Sequence, residues 1–436
     1  MWKFDKKNRF AYSFNPKTGA YIRTGIIDEN GRDTGKDPFM ASFPHLIDVG
    51  IMGHCIHGQT GLCKQAGIEC YQSGLHKCEP NMSLKDFEKI CVQCAGKVQQ
   101  FALGGRGDPD QHENFKEILE TCSKNGIVPN FTTSGFGMTE DIAKLCKKHC
   151  GAVAVSMYSR LIDTVPLVAL RKRDVTEEKI PLTMDEIPIK FTLGNIYQDC
   201  INEGPNYLIN HKNYKWDELH HITEQDLNGE YELYKMYDEK QEPNYTMQAI
   251  QMLINAGVKT NIHYVLNTET IDEAIIRLKH NGFPKGINAV IFLLHKPAGL
   301  GTEEKMLNNC MDKVVEFFTL IDNNRFNFKI GFDSCTVPGL LNFTKNTALE
   351  SVDTCEGGRY SCYIGANMYM VPCSFDQRNA YVCDLNQMTI QEAWDSNVFE
   401  QFRAVMKNSC PNCDKKEYCM GGCPLMPKAV LCDKKH

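Results

Sequence analysis

From residue 45 to about 332 the chain alternates apolar strand-like runs with amphipathic helical stretches, and no other feature limits its fold so tightly. The candidate strands read "HLIDVGIM", "VQQFALGG", "VPNFTTSG", "AVAVSMYS", "VKTNIHYVLN", "INAVIFLLH" and "FNFKIGF". Helical patterns separate them at roughly 84–97, 112–124, 139–149, 244–256, 270–281 and 303–322. This alternation predicts a parallel α/β sheet. Six or so units suit a barrel or partial barrel, in which ligands sit at the C-terminal ends of the strands.

Two segments stand outside the rhythm. Residues 160–243 are polar and aromatic, with "KWDELHHITEQ" and "NGEYELYKMYDEK". They read as an insertion on the active-site side, either a surface elaboration or a substrate or partner surface. His220 and His221 within it read as surface or packing histidines. Residues 1–40 carry two turn signals, "NPKTG" and "DENG", and predict a β-hairpin or meander packed on the barrel. The expected division is therefore an extension at 1–40, a barrel at 41–332 and a C-terminal unit at 333–436.

A net charge of −6 and a pI near 6.1 argue against a general polyanion binder. No apolar run approaches the ~20 residues that span a bilayer. The start "MWKFDKKNRF" lacks a signal-peptide core, so the expectation is a cytoplasmic protein that binds neither nucleic acid nor membrane.

Cysteine is the compositional anomaly, at 21 of 436 residues. A reduced protein so rich in thiols uses some of them as metal ligands. Others are core residues. Cys91 and Cys94 share a helical face with Phe87, Ile90 and Val98, after a capping Ser83. Cys122 extends the stripe Phe115, Ile118, Leu119, and Cys146 extends Ile142 and Leu145; these four thiols read as packing. Two other groups do not. "CIHGQTGLCKQAGIECY" places Cys55, Cys63 and Cys70 in one glycine-containing loop after the first strand. "CPNCDKKEYCMGGC" places Cys410, Cys413, Cys419 and Cys423 in a Cx2Cx5Cx3C array, with Cys355, Cys362, Cys373 and Cys383 before it and Cys432 after it. Nine thiols within 78 residues imply zinc or iron–sulfur ligation, and spacing alone does not choose between them.

The stretch "CEGGRYSCYIGANMYMVPC … MTIQEAWDSNVFEQFR … CPNCDKKEYCMGGCP" resembles the SPASM domain of radical S-adenosylmethionine enzymes. That family has a partial (β/α)6 barrel whose first loop carries CxxxCxxC, its last cysteine commonly followed by Tyr. Cys70-Tyr71 keeps that signature, with the spacing stretched to seven and six residues. The resemblance implies three [4Fe–4S] clusters and S-adenosyl-L-methionine. Cys55, Cys63 and Cys70 would hold the first cluster, with Cys78 as a rival ligand. Three thiolates leave one iron open for the amino and carboxylate groups of S-adenosylmethionine, whose cleavage yields a 5′-deoxyadenosyl radical. Cys355, Cys362, Cys373 and Cys423 would hold the first auxiliary cluster. Cys410, Cys413, Cys419 and Cys432 would hold the second. Some members lack a ligand at the Cys362 position, and there the cluster could bind substrate directly. Cys383 matches no ligand position, and Cys335 and Cys383 read as spare thiols.

"LGGRGDP" sits where the family has a GGE motif that meets the cofactor's amino group. Gly104, Gly105, Arg106 and Asp108 are the corresponding residues, with Arg106 in place of Glu and Asp108 as a substitute carboxylate. Ser134 and Ser156, at the ends of the third and fourth strands, resemble polar positions that meet the methionyl or ribose groups. Arg160 is a carboxylate partner by its fork geometry. Asn261, His263 and His295 are weaker candidates, the two histidines reading first as satisfied barrel residues. No catalytic acid or base is legible.

The expected function is hydrogen abstraction from a ribosomally made precursor peptide, followed by cross-linking, oxidation or backbone excision such as tyramine splicing. Expected partners are that peptide with its leader, a small leader-recognition protein, and a one-electron reductant of flavodoxin or ferredoxin type. A sulfatase-maturing or small-molecule radical oxidase is the alternative enzyme. A cysteine-rich zinc or electron-transfer protein is the non-enzymatic one.

Overall fold

The computed structural model describes residues 2–60, 69–74, 78–157, 167–172, 231–236, 245–279, 282–348, 352–410 and 412–432. Seven parallel strands follow one another in chain order: β4 (Leu46–Met52), β5 (Gln100–Gly105), β6 (Val128–Thr133), β7 (Val153–Ser156), β10 (Thr260–Leu266), β11 (Ala289–Leu294) and β12 (Lys329–Phe332). Each falls inside one of the seven apolar runs. Two strands of the long insertion, β8 (Leu167–Lys172) and β9 (Tyr231–Met236), form a separate antiparallel pair.

Helices cover the sheet where the periodicity predicts them. Leu84–Cys94 starts at Ser83, whose side chain accepts from Asp86 N at 3.1 Å, and buries Phe87, Ile90, Cys91 and Cys94 completely. Cys122 and Cys146 are equally buried in the helices Phe115–Lys124 and Glu140–His149. Glu140–His149 begins on two acids and ends on Lys147, Lys148 and His149, as its dipole favours. The stretch expected as one helix at 303–322 is two 3-10 turns followed by the helix Met311–Asn323. Met306 and Cys310 have non-helical backbone angles and break the pattern.

The sheet does not stop at the barrel. The free edge of β4 pairs in parallel with β13 (Ser361–Ile364), Cys362 lying opposite Ile47. Antiparallel strands β14 (Tyr369–Val371) and β15 (Cys383–Asp384) follow, giving ten strands in one sheet. The N-terminal residues make their own antiparallel sheet of β1 (Trp2–Asp5), β2 (Phe10–Phe14) and β3 (Tyr21–Arg23). Its turn is held by Asn15, whose side chain accepts from Lys17 N and Thr18 N. Its apolar residues Phe10 and Tyr12 pack with Ala41 and with Tyr360 of the C-terminal region. Arg23 pairs with Asp353, and Trp394 Nε1 donates to Ala41 O at 2.9 Å. The extension thus anchors to the C-terminal region as well as to His45 at the foot of the barrel, where Tyr21 meets Nδ1 at 2.7 Å. Among the described residues, no helix is long and apolar enough to cross a membrane.

Candidate functional site

The first thiol loop leaves β4 at its C-terminal end. Cys55 precedes the short helix Ile56–Thr60, and its sulfur accepts from Gly58 N at 3.4 Å. Burial pushes the Cys55 thiol up, against the help of that N–H. A Cβ on Gly74 would stand 3.8 Å from both Cys55 Sγ and Cys70 Sγ, so the two sulfurs converge over a residue with no side chain. Cys63, between them, lies outside the described residues. Cys78 is exposed, and its sulfur accepts from Gln59 Nε2 at 3.1 Å.

Two glycine contacts hold this loop. Gly107 has φ +123°, and a Cβ there would meet His54 O at 2.6 Å and Cys55 Cα at 3.2 Å. Gly299 has φ +60° and lies against the carbonyls of Cys70 and Tyr71, while Leu300 N donates to Cys70 O at 3.0 Å. Both positions combine a left-handed backbone with no room for a side chain. Gly105, at the end of β5, is likewise left-handed and presses on Met52; Gly104 faces open space. The Tyr71 ring stacks on Phe375 with centroids 4.8 Å apart.

Arg106 and Asp108 point to different tasks. Asp108 Oδ1 accepts from Ser134 N at 3.0 Å, and Oδ2 accepts from the Ser134 hydroxyl. His57 Nε2 lies 3.0 Å from Ser134 Oγ and 3.6 Å from Asp108 Oδ2, its ring edge-on to Phe136. This Asp108–Ser134–His57 group sits one turn from Cys55. His57 is a polar site residue that the sequence reading passed over, although it lies two positions after the first loop cysteine. Arg106 instead pairs with Glu79 at 2.9 Å and lines a cleft enclosing about 800 Å³ of solvent-open space. Tyr363 and Tyr369 of the β13–β14 hairpin form the facing wall.

The other candidates are dispersed. Ser156 is buried at the end of β7. Asn261 lies near the start of β10, at the opposite end of its strand from the thiol loop, and accepts from Asn288 Nδ2 at 2.7 Å. His263 contacts Thr132 Oγ1 at 3.2 Å, and burial brings its imidazole down to about 4. His295 meets Thr302 O at 3.0 Å. Arg160, His220 and His221 lie outside the described residues.

In the C-terminal region Cys410, Cys413, Cys419 and Cys432 line one cleft with Gly421 and Val430. The Cys419 sulfur accepts backbone N–H groups of Gly421 and Gly422, both at φ +79°. Cys355 and Cys373 flank the β13–β14 hairpin. A Cβ on Gly357 would lie 3.6 Å from Cys355 Sγ and 3.6 Å from Cys373 Cβ. Cys423 carries charge interactions with both. Cys362 does not join them: it is buried on β13, and its charged or ionisable neighbours are Cys94, Asp48 and Arg403. Cys335 does, through contact with Cys423. Cys383 is buried against Ser396 Oγ at 3.5 Å. Among the described residues, no three His, Cys, Asp or Glu side chains are drawn together tightly enough for a single metal ion.

Residues 355–419 match the family model of SPASM, an iron–sulfur cluster-binding domain. No curated protein matches the chain. Solved structures share its fold. SuiB of Streptococcus suis, bound to precursor peptide SuiA, superposes with a TM-score of 0.54 at 12% identity, covering 100% of both chains. The protein anSMEcpe with bound AdoMet gives 0.52 at 14% identity, over 89% of this chain and 87% of that one. The same protein with AdoMet and Cp18Cys peptide gives 0.51 at 14% identity, over 88% and 90%. The chain thus shares its fold with these S-adenosylmethionine- and peptide-bound structures and carries a SPASM iron–sulfur cluster-binding domain at residues 355–419.

Proposed function

We propose that the chain modifies a peptide by hydrogen abstraction, using three [4Fe–4S] clusters and S-adenosylmethionine. The observation that carries this reading is the cleft between the thiol loop and the β13–β14 hairpin. It is open to solvent and lined by Arg106, Glu79, Tyr363, Tyr369, Asp376 and Gln377, which offer hydrogen-bonding and stacking groups to a peptide segment. The peptide-bound structures of SuiB and anSMEcpe, which share the fold, support it.

The donor set fits the cofactors. Cys55 and Cys70 converge over Gly74, and Cys63 belongs to the same loop. Cys55, Cys63 and Cys70 would hold the first cluster, which with S-adenosylmethionine would supply the radical chemistry that takes hydrogen from unactivated carbon. The protein's residues orient and shield it. Asp108, fixed by two bonds from Ser134, offers a carboxylate for the cofactor's amino group in place of the family's Glu. Its anchoring hydrogen bonds limit reorganisation on binding. Arg106, displaced from that role, faces the cleft and is placed to meet an anionic group of the peptide. Gly105 and Gly107 bring the strand end close enough to brace the loop. A flavodoxin- or ferredoxin-type reductant and a small leader-recognition protein complete the reading.

Anaerobic reconstitution tests the cofactors: about twelve irons per chain are expected, and stoichiometric zinc overturns the proposal. Incubation with a candidate precursor peptide tests the reaction by mass. Loss of two hydrogens indicates cross-linking or oxidation, and a large loss indicates excision. Turnover of a sulfatase peptide or a small molecule, with every precursor peptide left unchanged, overturns the peptide-maturase reading.

A further inference from the structure

Four thiols meet behind the β13–β14 hairpin, and one of them belongs to no cysteine motif. Cys335 lies in the turn between β12 and the helix Val337–Phe343, at the C-terminal end of the last barrel strand. That turn is held firmly. Asp333 accepts from Thr336 N at 3.0 Å, from Lys296 Nζ at 2.7 Å and from Leu294 N at 3.3 Å. The Cys335 thiol is hydrogen-bonded to Cys423. Charge interactions link Cys355 to Cys335, Cys373 to both, and Cys423 to all three.

Strand geometry separates Cys362 from this group. Successive side chains of a strand point to opposite faces. Tyr363 lines the cleft, so Cys362 turns the other way, into the core against Cys94 of the helix Leu84–Cys94. Its pairing with Ile47 on β4 fixes that direction, because a one-residue slip would turn the whole strand over.

We propose that Cys335 is the fourth thiolate of the first auxiliary cluster, completing a set with Cys355, Cys373 and Cys423, and that Cys362 is a core residue. The inference rests on the reading that Cys355, Cys373 and Cys423 hold a cluster. It makes that cluster fully cysteine-ligated, with one ligand supplied by the barrel. A four-cysteine cubane uses one thiolate for each iron. Lys296 suits the assignment: it is buried, close to both Cys335 and Cys423, and its ammonium lies 4.5 Å over the Phe375 ring. Its ammonium also pairs with Asp333 at 2.7 Å, so Lys296 lends the thiolates partial rather than full charge compensation.

The full-length protein, reconstituted anaerobically, provides the test as Cys335→Ala, Cys362→Ala and Cys355→Ala variants. Iron and sulfide per chain, the electron paramagnetic resonance of the oxidised and reduced protein, and the circular dichroism spectrum are measured on each. Cys335→Ala is expected to lose up to about four of twelve irons, or to show an oxidised three-iron signal, with unchanged circular dichroism. Cys362→Ala is expected to keep the wild-type iron and spectra. If Cys355→Ala loses iron while Cys335→Ala keeps both its iron and its spectra, the assignment of Cys335 is wrong and the cluster stands. If Cys355→Ala also keeps its full iron, the cluster reading itself fails.

Discussion

The barrel mouth and the C-terminal region treat buried polar groups in opposite ways. At the mouth, Arg106 Nε and Gln111 Nε2 are buried with no hydrogen-bond partner among the described residues, and the buried Asp110 carboxyl has only weak contacts with Thr133 and its own backbone. In the C-terminal region two arginines are almost fully buried and well satisfied. Arg359 bonds Asp37, Phe39 O and Cys355 O; Arg403 bonds Gly358 O and Trp394 O. Unmade bonds in a folded interior cost stability, and a ligand that completes them recovers that cost. The contrast marks the mouth as the part that waits for a ligand and the C-terminal region as the frame.

The largest expected effect breaks the frame. Arg359→Ala strips Phe39 O and Cys355 O of their buried donor and Asp37 of its nearest cation, leaving Asp37 with Phe39 N, the Tyr360 hydroxyl and Arg23, and should cost about 3 kcal/mol in denaturant unfolding of the apoprotein. A loss below about 1 kcal/mol, the value of a surface pair, would place Arg359 outside the frame. At the mouth the sign reverses. Burial and the neighbouring Asp108 charge push the Asp110 carboxyl up to about 7. Between about pH 4 and 7 the folded protein holds a proton there that the unfolded chain releases, so stability falls as pH rises through that window. Asp110→Asn should remove about 2–3 kcal/mol of the loss between pH 5 and 8. His263 supplies the opposite slope. Its imidazole stays neutral down to about 4 while the unfolded chain takes up a proton near 6.5. Stability therefore falls as pH drops below 6.5, and His263→Gln should recover about 2 kcal/mol of that loss at pH 5. The smallest effect is at the frame's surface: Thr389→Ala removes one half of the capping box with Glu392 and should cost about 1 kcal/mol.

Local patterns made most of the barrel legible. The seven strands and their helices follow from apolar periodicity, and Ser83 announced its helix because a cap is written within four residues. The β4–β13 pairing was not legible, since it joins residues more than 300 positions apart and neither strand encodes its partner. The same distance hid Cys335. Motif spacing gathers cysteines that are near in sequence, whereas this thiol reaches the others only because the sheet carries β12 and the hairpin to one end of the molecule. His57 escaped because the glycine-containing loop around it obscures helical periodicity. Cys362 shows the converse: a thiol inside a recognisable motif is turned away by strand alternation.

The pairing of β13 on β4 has one more consequence. The strand that leads into Cys55 is also the one on which the cluster-binding domain is laid, so the two halves cannot separate without unzipping the sheet. Cutting the chain before the hairpin would bare a long apolar strand edge and invite self-association rather than release a smaller working enzyme.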